Sequence, residues 1–217
     1  MLNQITLACY TQGHENQFIN FETWSISELY CSYLKELNTG KIVKVNVNIR
    51  DKWGELISYY ENYGDVVTIR SHFDFNMYRY SEKVTKKKMQ LDALHDGLMR
   101  IAEKEGWNTD YLLDAYNNSI KSNLSYQFYL KGFKFSPNKN YKIGFWCNWD
   151  IDIFEVYWVL NDKKNIEILR KKFIEKPPYK GEMIYYVKWK WLNNNEVLFQ
   201  DKYKYGDSEE WKISISI

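Results

Sequence analysis

Residues 84–122 take up the 3.6-residue spacing of helices in a chain whose other patterned segments mostly alternate with a period of two. That contrast restricts the possible folds more than any other feature. Val84, Leu91, Leu94, Leu98, Ile101 and Ala102 fall on one helical stripe, and Gly106 stops it. Asn108 or Thr109 can cap a shorter helix carrying Tyr111, Leu112, Ala115, Tyr116 and Ile120. An earlier helix is predicted near 25–38. There Ser25 and Glu28 have capping-box spacing, Ile26, Leu29, Tyr30, Tyr33, Leu34 and Leu37 form a stripe, and Gly40 supplies the stop.

Around these helices the chain reads as extended. Residues 4–10 alternate, 17–24 form a second extended run, and 41–50 point Val43, Val45, Val47 and Ile49 to one face. Residues 55–61 and 65–80 read as strands about an Asn62-Tyr63-Gly64 turn, the first being also compatible with a short helix. Beyond Ser125 the expected strands are 125–135, 141–151, 153–160, 183–192, 196–205 and 211–217, while 164–175 is compatible with a helix ahead of Pro177-Pro178. Strands, a helical pair and more strands give an α+β fold with mostly antiparallel sheets and a β-rich C-terminal half. We expect one domain over 1–217, divisible into sub-lobes 1–122 and 123–217.

Composition narrows the partners. Aromatics make up 18% of the 217 residues, enough apolar surface to fold without disulfide or metal staples. Thirty basic and 28 acidic residues leave a net charge of +2, so no global field favours nucleic acid or membrane. Cys9, Cys31 and Cys147 are odd in number and far apart, which points to thiols in a reducing, cytoplasmic setting. The start, MLNQITLACYTQ, lacks the basic and apolar regions of a signal peptide, and no apolar run reaches transmembrane length. Twenty Asn against four Ala look like AT-biased coding, which suggests a bacterium or its phage.

The densest stretch is FWCNWDIDIFEVYW, Phe145 to Trp158. Phe145, Cys147, Trp149, Ile151 and Ile153 share one strand face, and Trp146, Asn148, Asp150 and Asp152 the other. The phase then inverts, and a β-bulge near Ile153–Phe154 would bring Glu155 to the face of Asp150 and Asp152. A second phase slip falls at Gly132, where a bulge lets 125–135 pair with 141–151. Charge sorts along this hairpin: five lysines and no acid over 121–145, four acids and no base over 146–162. Cross-strand pairing accounts for this, and so does a carboxylate-rich recognition face.

Other chemistry is sparse. His72 and Asp74 are the best acid–base pair on i, i+2 spacing, as in a metal-dependent or acid–base hydrolase or nuclease. Glu210-Trp211-Lys212 with Asp201 or Asp207 has a nuclease-like pattern. His14-Glu15 falls in an expected loop, and His95 lies on the long helix beside Asp92 and Asp96. Asp150, Asp152 and Glu155 have neither a histidine partner nor calcium-loop spacing, so no metal and no cofactor is expected. Lys86-Lys87-Lys88 is expected on a solvated helix face. Lys131-Gly132-Phe133-Lys134-Phe135 resembles the opening of the RNP1 box of RNA-recognition domains, with Lys134 where a small residue is usual. YVKWKW, from Tyr186 to Trp191, interleaves base and aromatic but sends lysines and tryptophans to opposite strand faces. Together these two segments imply a single-stranded nucleic-acid binder as one alternative.

The favoured expectation is a non-enzymatic cytoplasmic binding protein, a microbial inhibitor or immunity-type protein that blocks a partner protein such as a basic toxin domain. Its expected contacts are Trp146, Asp150, Asp152 and Glu155, with Tyr129 and Lys131 beside them.

Overall fold

The computed structural model describes residues 2–9, 14–34, 36–51, 59–202 and 208–216, with backbone only for 14–17. These fall into two compact units: residues 1–126 together with 150–152, and 127–149 together with 153–217.

In the first unit, β1 (Gln4–Ala8), β2 (Lys44–Arg50), β3 (Tyr60–Asn62) and β4 (Val66–His72) form a sheet ordered β1-β2-β4-β3. β1, β2 and β4 run parallel, and only the short β3 is antiparallel. Parallel neighbours need a crossover, here supplied between β1 and β2 by α1 (Trp24–Ser32). Ile5, Leu7, Val45, Val47, Ile49, Val67 and Ile69 are all buried and alternate with more polar neighbours. α3 (Lys83–Glu105) lays Leu91, Leu94, Leu98 and Ile101 into the same core, joined by Leu112 and Ala115 of α4 (Thr109–Lys121). Gly97 lets α3 approach the sheet closely: a Cβ there would lie 2.9 Å from both Val47 methyls. Gly106, at φ 67°, ends α3 as its spacing predicts, and the Asn108 side chain caps α4 by accepting from Asp110 N–H at 2.9 Å.

Several expectations are corrected here. Residues 14–21 form a 3-10 stretch rather than an extended run, with Ile19 buried and Asn20 bonding both backbone polar groups of Cys9. α1 stops at Ser32, and its N-cap is Thr23 without a side-chain cap bond, so Ser25 and Glu28 form no capping box. The strand expected over 65–80 ends at His72, and Phe75–Tyr80 is a short helix, α2. Asp74 starts that helix by accepting from Met77 N–H at 2.8 Å, and the i, i+3 pair Phe75 and Tyr78 is buried. Of the strand expected over 55–61, residues 55–58 lie outside the described residues.

The second unit is antiparallel. β5 (Tyr126–Tyr129), β6 (Lys134–Phe135), β7 (Tyr141–Trp149), β8 (Phe154–Asp162) and β9 (Glu167–Lys176) form one sheet, ordered β5-β7-β8-β9 with β6 also on β7. β10 (Val187–Asn193), β11 (Glu196–Asp201) and β12 (Glu210–Ser214) form another, reached through a 3-10 stretch at Pro178–Tyr185. Aromatic rings fill the core between them. Phe145 lies 4.6 Å from Phe199 and 5.2 Å from Trp189, and Phe173 and Trp211 complete the cluster, all within the range of favourable ring pairs. Gly181 makes room for buried Trp149, whose Nε1 donates to the Pro178 carbonyl at 2.9 Å.

The two phase slips resolve differently. At Gly132, φ is 62°, a value glycine adopts freely, and β5 and β6 pair β7 on either side of it. The slip near Ile153–Phe154 is not a bulge. Trp149 pairs directly with Phe154, and Asp150 to Ile153 form the turn between β7 and β8. Residues 167–176 are a strand and not a helix. Phe173 and Ile168 are extra residues at two register shifts against β8, which blurs the alternation that would reveal a strand. At the open edge of β10, the Lys134 ammonium donates to the Trp189 carbonyl at 2.6 Å, and Trp191 Nε1 donates to the Lys134 carbonyl at 2.9 Å.

Candidate functional site

Strand alternation sends Phe145, Cys147 and Trp149 inward and leaves Trp146 and Asn148 on the outer face of the larger sheet of the second unit. Cross-strand register sets Trp146 opposite Tyr157 and Asn148 opposite Glu155. The Trp146 and Tyr157 rings meet edge to face at 5.2 Å. Arg170, from β9, lies over Trp146 at 5.0 Å and donates to the Tyr129 hydroxyl at 3.1 Å, while Glu167 fixes its other side. Tyr129 then meets Phe133 at 5.3 Å, and Phe133 covers Gly144, where a Cβ would come within 2.7 Å of the ring. The result is a row of Phe133, Tyr129, Arg170, Trp146 and Tyr157. Tyr129 is 45% exposed.

A charged rim borders the row. Glu155 accepts from Asn148 Nδ2 and from Lys172 Nζ, each at 3.0 Å, and Lys172 also reaches Glu175. Burial alone would raise the Glu155 carboxyl, but Asn148 and Lys172 hold it below its ordinary value. Arg170 and Lys172 therefore balance the acids, and the face is mixed in charge rather than acidic.

Asp150 and Asp152 are not part of that face. They belong to the first unit, where Asp150 accepts from Lys87 at 2.6 Å and Lys83 at 2.9 Å, and Asp152 accepts from Lys83 at 2.6 Å. Lys87 is buried, which corrects the expectation that Lys86, Lys87 and Lys88 all face solvent. Burial acts to raise the Asp150 carboxyl, but the two lysines and the Ile151 N–H hold it below the usual carboxylate range. A buried ammonium needs such a partner, so Asp150 serves Lys87 before any ligand. Lys131 lies beyond the end of β5 and lines a separate cleft with Lys134 and β10.

The acid–base candidates separate as well. Asp74 is committed to capping α2, and His72 is the last residue of β4, so they share no strand face. Glu210 accepts from Gln200, and Asp207 lies outside the described residues. His14 begins the 3-10 stretch rather than sitting in a loop. Among the described residues no group of three or more His, Cys, Asp or Glu could hold a metal ion. Cys147 is buried and its thiol pushed far up, while burial, with Glu28, pushes Cys31 to about 11.

Reading the sequence missed two constellations. The first is Arg170 with Tyr157 and Lys172 on the sheet face, hidden because β9 did not read as a strand. The second ties the helices of the first unit together. The Tyr30 hydroxyl lies 2.9 Å from the Leu112 carbonyl, which can only accept, and 2.8 Å from His95 Nδ1. Tyr30 thus donates to Leu112, and His95 carries its proton on Nδ1. The His95 ring packs tilted against Tyr116 at 4.5 Å, and Tyr116, Asp92 and Lys88 bond one another. Its groups satisfy one another, as in a structural network.

No helix among the described residues is long and apolar enough to cross a membrane. No protein-family model, curated protein or solved structure matches the chain.

Proposed function

We propose that the chain is a non-enzymatic binding protein of the cytoplasm, an inhibitor or immunity-type protein of a microbe, acting on a partner protein through the outer sheet face of its second unit. The observation that carries this reading is the row of Tyr129, Arg170, Trp146 and Tyr157 across four neighbouring strands. Trp, Tyr and Arg are the residues that dominate the energy of protein interfaces, typically within a rim that excludes water. Here they are held by one another and by Glu167, so little side-chain freedom remains to be lost on binding. Because Glu155 faces Lys172 and Asp150 is engaged elsewhere, the partner need not be basic. Complementarity of shape around Trp146, with alternating charge at the rim, sets the choice.

The test is affinity capture from extract, followed by titration of the identified partner in purified form. Trp146→Ala with Arg170→Glu should weaken binding by about a hundredfold or more, as for a central anchor pair, while the far-UV circular dichroism stays native. Undiminished binding by this variant removes the sheet face as the site.

A further inference from the structure

The segments KGFKF and YVKWKW come together in the second unit at a cleft of about 1160 Å³ beside the edge strand β10. Lys131, Lys134, Lys188, Lys190 and Lys202 line it, and among the described residues none of the lining is acidic. Lys134 is committed to the Trp189 carbonyl, so four ammonium groups remain. None of these four pairs with a carboxylate among the described residues. In a chain of net charge +2 this is a strong local concentration of one sign. Two aromatic side chains flank the charges: Tyr185 is 58% exposed and Tyr186 40%. Trp189 faces the opposite way, stacked on Phe199 in the core.

From this arrangement we infer that the cleft binds single-stranded nucleic acid. Lys188 and Lys190 project from the same side of β10 about 6.8 Å apart by strand rise, a spacing suited to successive phosphates of an extended strand. Among the described residues the lining contains no arginine, hence no rigid fork for one carboxylate or phosphate group. Mobile lysine point charges instead tolerate a polymer in any register. The solvent-exposed parts of Tyr185 and Tyr186 give unpaired bases aromatic surface to stack on whatever their sequence. A duplex hides its bases and cannot use them. This surface is distinct from the sheet row above and does not depend on it.

The experiment is fluorescence anisotropy of the full chain with a labelled 20-residue oligo(U) or oligo(dT), a 20-base-pair duplex, and heparin as a plain polyanion. Four phosphate contacts predict a log–log salt slope of about −3, a loss of about fiftyfold between 50 and 200 mM salt. Lys188→Glu with Lys190→Glu should weaken single-strand binding by at least about tenfold and flatten the slope to about −1.5. Tyr185→Ala with Tyr186→Ala should weaken single-strand binding by about tenfold and leave heparin unaffected. The matched change Lys163→Glu with Lys164→Glu, in an exposed turn, should alter affinity by no more than about twofold. Absence of single-strand binding at 20 mM salt overturns the inference. So does equal weakening by the turn variant, or indifference to both tyrosines.

Discussion

The two units solve the same problem, burying a sheet, with different materials. In the first, a largely parallel sheet packs Val and Ile against Leu of the helices, and Gly97 lets α3 approach it closely. In the second, antiparallel sheets enclose Phe and Trp rings, and Gly144 and Gly181 open space for single aromatic side chains. Six of the nine tryptophans lie in the second unit and all three histidines in the first. An aliphatic core gains from many small contacts that can readjust. A core of rings depends on a few large, stiff shapes, so its tolerance to error is lower.

The largest effect should come from Gly181→Ala. The new methyl would stand 2.2 Å from the Trp149 ring, held between the Pro178 carbonyl and Phe154. We expect a loss of about 3 kcal/mol or more, read in urea denaturation by tryptophan fluorescence. A change below about 1 kcal/mol would show that the ring core readjusts as easily as the aliphatic one. Close behind is Asp150→Ala in the first unit, which strands buried Lys87 and should cost about 3 kcal/mol. Replacing the pair together, Lys87→Met with Asp150→Ala, should recover much of that. Peptide-resolved hydrogen exchange should locate the damage in residues 83–126.

Gly97→Ala is the matched test in the first unit. Contact with the Val47 methyls at 2.9 Å is offset by about 1 kcal/mol of helix propensity, so the net loss should be about 1 kcal/mol or less. A loss as large as that of Gly181→Ala would erase the distinction between the cores. The smallest effect is a pH dependence. Burial lowers His95 below its ordinary value despite Asp92 and Asp96. The unfolded chain therefore binds the proton more readily, and the stability His95 contributes is present above about pH 6.5 and is lost as pH falls toward the depressed folded value. Hydrogen exchange at pH 7 and 5.5 should show α1, α3 and α4 loosening. His95→Gln should reduce that response.

Period-3.6 spacing gave α3 and α4 nearly to the residue because their stripes are long, Gly106 ends the first and Asn108 caps the start of the second. Alternation likewise placed β2 and β7. The losses have local causes. Asp74 captures the Met77 N–H and turns an apparent strand into α2, which no periodicity over 65–80 reveals. In β9, Phe173 and Ile168 each break the alternation, and with them Arg170 vanished from view. The acidic cluster read from FWCNWDIDIFEVYW assumed a bulge where the chain turns. A turn releases Asp150 from the strand pleat, and its true partners, Lys83 and Lys87, stand more than sixty residues away in sequence. Pairing over such a distance leaves no trace in local pattern.

Lys134 has a consequence for life in a crowded solution. β10 is an edge strand, and an edge strand's row of carbonyls is a template on which another molecule can add a strand. With its ammonium seated on the Trp189 carbonyl, Lys134 removes one acceptor from that row and sets a charge in the path of an incoming chain. In a segment as aromatic and β-prone as YVKWKW such charges matter most at the edge. Lys134 thus joins the exposed Lys188 and Lys190 in charging the edge on which a strand could add.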